Sequence, residues 1–149
     1  MAQVSFYHLE RQGVEAALPK LLEKVLAAEL KVVVFLDDQA LLKTLDDALW
    51  TYNPSSFLPH GTEETPHPDL QPVYLTTARD VPNEAQVVVL INAAKAPDLE
   101  AFERCLYMFD GREEPILTEA RKDWTAMKTA GHDVTYWQQN QAGGWEKKA

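Results

Sequence analysis

The stretch KVVVFLDDQALLKTLDDALW, Lys31 to Trp50, decides the fold, because its hydrophobic period changes once and abruptly. Lys31 to Leu36 is a continuous apolar run of strand length, the pattern of a strand covered on both faces. From Asp37 onward the period becomes helical: Leu41, Leu42, Leu45, Leu49 and Trp50 mark one apolar face, and Asp37 or Asp38 can cap the first turn. A buried strand that runs directly into an amphipathic helix is the opening of a crossover unit.

Outward from this unit the alternation continues. Upstream, VSFYHL (Val4 to Leu9) reads as a first strand, and Val14 to Leu30 as an amphipathic helix through Leu18, Leu21, Leu22, Val25 and Leu26. Pro19 lies inside that helix and is tolerated if the helix begins later, with the proline in its first turn. Downstream, residues 51 to 71 form a long irregular segment with Pro54, Pro59, Pro66 and Pro68. PVYLTT and QVVVLIN are two further strands. Asp98 to Met108 reads as a third helix and Glu113 to Ala130 as a fourth, capped by Gly131. HDVTYWQ makes a last strand, and residues from about 140 to 149 a flexible tail. Residues 1–149 therefore read as one α/β domain, a three-layer Rossmann-like fold with a mostly parallel central sheet.

Charge narrows the function. The chain carries a net charge of -9, which argues against strong direct binding of DNA, since a broad grip on phosphates needs Lys and Arg to displace counterions. The charge is uneven: residues 1 to 103 hold 7 basic and 16 acidic side chains, and residues 104 to 149 hold 7 of each. Only the C-terminal third can assemble a modest basic site for an acidic partner. No apolar run is long enough to span a bilayer, and the N-terminus lacks the regions of a signal peptide, so the chain reads as cytoplasmic.

Catalytic machinery is hard to draw. Neither G-x-G-x-x-G nor a P-loop is present, and six scattered glycines build no phosphate loop, so no functional nucleotide site is expected. His60 and His67 share a segment with Glu63, Glu64 and Asp69, but at no recognised metal-ligand spacing. Asp37 and Asp38 sit where catalytic carboxylates of doubly wound folds lie; helix capping is the plainer role. They carry the rival reading, a small nucleotide-utilising enzyme. Cys105, placed on the apolar face of the third helix, reads as a small core hydrophobe. Neither a cofactor nor a metal is expected.

Two surfaces remain. LWTYNPSSFLPHG, Leu49 to Gly61, sets Trp50, Tyr52, Phe57, Leu58 and Pro59 on or beside a loop. Either the loop folds back over the sheet edge as core, or it forms a stiff apolar patch for a partner protein. On the last helix Arg121, Trp124 and Lys128 share one face, with Lys122 one step round. They form either a core tryptophan with snorkelling cations or a holder for an aromatic residue and its carboxylate. A further reading, single-strand binding through Trp124, Trp137 and Trp145, sits badly with the net charge.

FYHL at Phe6 to Leu9, LDDALW running into SFLPHG, QPV at Gln71, FDG at Phe109 to Gly111, and the pattern from Ala120 to Trp137 occur in one order along the chain. As a set they resemble the chi subunit family of bacterial DNA polymerase III. The resemblance implies a nucleotide-binding-like α/β fold without the nucleotide site. It also implies a non-catalytic accessory subunit of the clamp loader, which links the psi subunit to the acidic C-terminal tail of single-stranded DNA-binding protein. Tail binding is implied for Arg121, Trp124 and Tyr136, with Lys122 or Lys128 in place of lysines that relatives carry where this chain has Leu117 and Thr125. The psi-facing surface is implied to be Trp50, Phe57, Leu58 and Pro59, a surface for which a repair helicase competes in some bacteria.

Overall fold

The structure, a computed structural model, describes residues 3–52, 58–96 and 98–149. The chain runs β1 (Gln3–Leu9), α1 (Val14–Ala27), β2 (Val32–Phe35), α2 (Gln39–Thr51), β3 (Val73–Thr76), β4 (Val87–Ile91), β5 (Arg104–Asp110), α3 (Glu114–Thr129), β6 (Asp133–Gln139) and β7 (Trp145–Lys147). The strands form one sheet in the order β3-β2-β4-β5-β1-β6-β7. Every neighbouring pair is parallel except β6 and β7. Helices α1 and α2 pack on one face over Val32, Val34, Leu106 and Met108. Helix α3 packs on the other, over Phe6, Tyr107 and Phe109, which completes the three-layer Rossmann-like architecture.

Lys31 to Trp50 folds as its pattern requires. All four side chains of β2 are buried: Val32 and Val34 lie in the core under α1 and α2, and Val33 and Phe35 pack on the other face with Ala94 and Phe102 of the segment after β4. Asp38 is the cap of α2: its Oδ1 accepts from the backbone N–H of Ala40 at 2.9 Å and of Leu41 at 3.4 Å. Asp37 has a different partner, the guanidinium of Arg79.

Three expectations need correction. The segment from Asp98 to Met108 is a short 3-10 turn, Leu99–Ala101, followed by β5 rather than a helix. Cys105 to Phe109 are consecutively buried between β4 and β1, and such an apolar run has no period by which to tell a covered strand from a core helix. Cys105 is accordingly mid-strand, and burial pushes its thiol up to about 12, which leaves it unreactive at neutral pH. Helix α1 begins at Val14, so Pro19 lies in its interior; the ring is buried, and its missing N–H leaves the Glu15 carbonyl without the usual i−4 donor. Within residues 140 to 149, where the sequence suggested a tail, the chain turns back and forms β7. Asn140 Oδ1 accepts from the N–H of Ala142 and of Gly144, Gly143 turns with φ +85°, and β7 pairs antiparallel with β6.

The segment after α2 returns along the sheet edge. Gly61 donates to the Val73 carbonyl and accepts from the Leu75 N–H, both at 2.9 Å, so it forms a parallel bridge beside β3. The open edge of β3 is thereby partly covered.

Candidate ligand groove and partner surface

Nucleotides in open α/β sheets bind at the carboxyl ends of the strands, and here an arginine fills that place. Arg79 donates from Nε to the Lys95 carbonyl at 2.6 Å and from Nη1 to the Leu36 carbonyl at 3.0 Å. Its remaining nitrogen pairs with Asp37, and its guanidinium lies 5.4 Å from the Phe35 ring centroid. Its own backbone is left-handed, φ +65°, a strained setting that these bonds hold in place. Asp37 and Asp38, the two carboxylates of the enzyme reading, are thus tied to Arg79 and to the α2 cap. Among the described residues no His, Cys, Asp and Glu cluster could hold a metal ion. His60 is buried, its Nδ1–H donating to the Leu58 carbonyl at 2.7 Å.

The groove lies on the α3 face of the sheet. Trp124 stands edge-on to Tyr136, with centroids 5.3 Å apart at 90°, and edge-on to Phe6 at 5.5 Å. Phe6 and Tyr136 are cross-strand partners in the β1–β6 register, which places their rings side by side, nearly parallel and 6.1 Å apart. Lys128, one turn beyond Trp124, sets its Nζ 5.0 Å from the indole centroid, a cation–π contact. Arg121 is exposed one turn before Trp124, and its charge acts on both Tyr136 and His8. The predicted face Arg121–Trp124–Lys128 is therefore assembled, with Tyr136 as its wall on the sheet.

Lys122 lies one step round the helix from Arg121. It projects from another side of α3 toward Glu119, 3.9 Å away. Glu119 and Asp123 also bind Lys95 Nζ, and Asp123 accepts from the buried Tyr107 hydroxyl, so the acid adjacent to Trp124 is occupied elsewhere. Among the described residues that leaves Arg121 and Lys128 as the cations beside Trp124, while the Glu10 carboxylate acts on Tyr136 from the strand side. Leu117 packs against the core beneath α3, and Thr125 bonds back to the Arg121 carbonyl at 3.2 Å.

Sequence spacing alone missed the support beneath the groove. The Tyr136 hydroxyl lies 2.7 Å from Nδ1 of His8, while His8 Nε2 faces Glu10 Oε1 at 3.5 Å. With a carboxylate at Nε2, that nitrogen carries the proton and the Tyr136 hydroxyl donates to Nδ1. Burial, reinforced by Arg121, holds the His8 pKa below its ordinary value against the pull of Glu10 and Asp110, so the ring is neutral at pH 7. Burial also lifts Tyr136 to about 12 and keeps it a phenol. His8 packs on Phe109 at 5.0 Å and presses on Gly111, where an added Cβ would fall 2.0 Å from Nε2. FYHL, FDG and the late helix–strand pattern, far apart in sequence, meet at one place. The only signal for this was that His8 and Phe6 alternate onto one side of a strand.

The second surface is divided. Trp50, near the end of α2, is 55% exposed and rests on the His60 ring, 4.7 Å between centroids. Leu58 is 3% exposed and belongs to the core, so the loop does in part fold back over the sheet. Pro59 is half-buried and lines an apolar cleft of about 550 Å³ with Leu26 of α1 and Leu30, which lies between α1 and β2. Phe57 lies outside the described residues. The three tryptophans of the single-strand reading do not share a surface: Trp124 is on the α3 face, while Trp145 packs against Tyr7 on the opposite one.

Fold and groove together define a Rossmann-like α/β protein whose strand ends are closed by an arginine and whose aromatic and cationic side chains gather on a helix–sheet face. Residues 1–135 match the family model described as DNA polymerase III chi subunit, HolC. A curated relative from Rickettsia prowazekii (strain Madrid E), a probable DNA polymerase III subunit chi, is 28% identical, the alignment spanning all of this chain and 93% of the relative. The chain belongs to the DNA polymerase III chi subunit family, and so to the accessory subunits of a replicative polymerase.

Proposed function

We propose that this chain is a non-catalytic bridge in the DNA polymerase III holoenzyme, joining the psi subunit of the clamp loader to the C-terminal tail of single-stranded DNA-binding protein in the bacterial cytoplasm. The observation that carries it is the Trp124–Tyr136 edge-to-face pair with Lys128 over the indole and Arg121 one turn away. An acidic peptide ending in an aromatic residue fits that set: the guanidinium forks onto the terminal carboxylate, and the rings and stem carbons receive the phenyl group. The overall charge of -9 opposes encounter with an acidic tail, so binding is modest and salt-sensitive.

The clamp-loader contact uses Trp50, Phe57 and Pro59, with Leu58 setting the backbone from within the core. The exposed Trp50 ring and the apolar cleft beside Pro59 support this surface. The test is co-purification from native extract. Arg121→Ala should lose single-stranded DNA-binding protein and keep the clamp loader, and Trp50→Ala should do the reverse. Loss of both partners in either variant, or of neither in both, contradicts two independent surfaces.

A further inference from the structure

Phe6 and Tyr7 are adjacent in β1 and point to opposite faces of the sheet. Phe6 backs the groove at α3. Tyr7 instead lines a cleft of about 240 Å³ between α1 and the hairpin of β6 and β7, floored by Met108 and walled by Trp145. The rings of Tyr7 and Trp145 meet edge to face, 5.2 Å apart at 77°, and each is only partly buried. On the rim stand Lys20 and Lys24, one helical turn apart, which separates them by about 6 Å along α1.

Both lysines are exposed, and among the described residues neither has an ion-pair or hydrogen-bond partner. Between residues 1 and 103, acidic side chains outnumber basic ones 16 to 7. Glu23, the carboxylate between them in sequence, turns to the Tyr52 hydroxyl, so two neighbouring lysines stand without an ion-pair partner among the described residues, beside two partly buried rings.

We propose that this cleft holds one or two nucleotides of single-stranded DNA, a base against Trp145 and Tyr7 and its phosphates on Lys20 and Lys24. Aromatic rings take any base, because every base has a π-face, and ammonium groups suit a diester backbone as point charges. No arginine lines the cleft to fork a carboxylate, in contrast to the α3 groove, so the chemistry favours phosphate over an acidic peptide. The net charge does not oppose so small a footprint as it opposes a broad one: the contact is short, weak and steeply salt-dependent. The two ligand sites lie on opposite faces of the sheet, so both can be filled at once.

The test is fluorescence anisotropy of a labelled oligothymidylate with the full chain in low salt. Wild type should bind saturably, and the Lys20→Ala/Lys24→Ala pair should bind about tenfold more weakly. The pair should also show a salt slope shallower by about 1.4, the value for two lost single-strand phosphate contacts. Trp145→Phe should retain most of the binding, Trp145→Ala should lose it, and Arg121→Ala should match wild type. A Lys20→Gln/Lys24→Gln pair keeps side-chain length and should agree with the alanine pair. The proposal fails if wild type does not bind the oligonucleotide, or if both lysine pairs bind it as wild type does. It also fails if an acidic peptide without the Pro-Phe end, rather than the oligonucleotide, binds in a lysine-dependent way.

Discussion

The Trp124 indole stands at 90° to the Tyr136 ring, 5.3 Å between centroids, and this contact joins α3 to β6 across the face where Arg121 and Lys128 project. Its geometry is set twice over. Trp124 is held by Phe6 on one side, and Tyr136 by the hydrogen bond to His8 from below. A groove built this way is formed before a ligand arrives, which lowers the entropy lost on binding.

The His8 ring gives the groove a pH signature. Its folded pKa lies below the ordinary 6.5, so its contribution to stability is complete above that value and is lost as pH falls through the folded pKa. Urea unfolding should therefore show wild type losing stability as pH falls below about 6.5, and His8→Gln losing less over the same range. An equal loss in both would assign the effect to other groups.

Gly111 is where His8 excludes any larger side chain. An alanine Cβ would lie 2.0 Å from His8 Nε2 and 2.9 Å from the Leu9 carbonyl. Gly111→Ala should cost about 1–3 kcal/mol in chemical denaturation and weaken peptide binding through Tyr136. Gly131→Ala is a useful contrast, because its strain comes from a φ of +91° alone and nothing lies near its Cβ.

Leu58 and Trp50 separate packing from contact within one segment. Leu58→Ala, a core truncation, should lower stability by about 2–5 kcal/mol, and Trp50→Ala by less than about 1 kcal/mol. Thermal melts of the two variants beside wild type decide it. Similar losses would place Trp50 in the core as well.

Arg79 closes the strand ends, and its removal strands the Leu36 and Lys95 carbonyls. Arg79→Ala should cost about 1–3 kcal/mol, and Arg79→Gly somewhat less, since glycine relieves the left-handed backbone. If neither variant changes stability, the arginine is not the plug described here.

The elements legible in the sequence were those with a local signature. Val32 to Phe35 followed by Asp38 could be read because an apolar run met a cap, and Arg121, Trp124 and Lys128 because helical spacing puts them on one face. Strand β5 could not, since Cys105 to Phe109 is buried on both faces and carries no period. His8, Gly111 and Arg79 were also hidden. Their roles depend on partners 128, 103 and 42 residues away, at Tyr136, His8 and Asp37, and only the sheet order brings those together. Leu58 and Trp50 were read as one patch because burial along a loop has no period either.

Titration of a labelled acidic peptide ending in Pro-Phe against wild type and Arg121→Ala tests the groove most directly. Wild type should bind, with affinity falling as salt rises. Arg121→Ala, exposed and so folded as wild type, should bind at least about tenfold more weakly, and an amidated C-terminus should weaken the wild-type complex to a similar degree. Equal binding by both proteins, or no binding by wild type, would contradict the assignment of this groove.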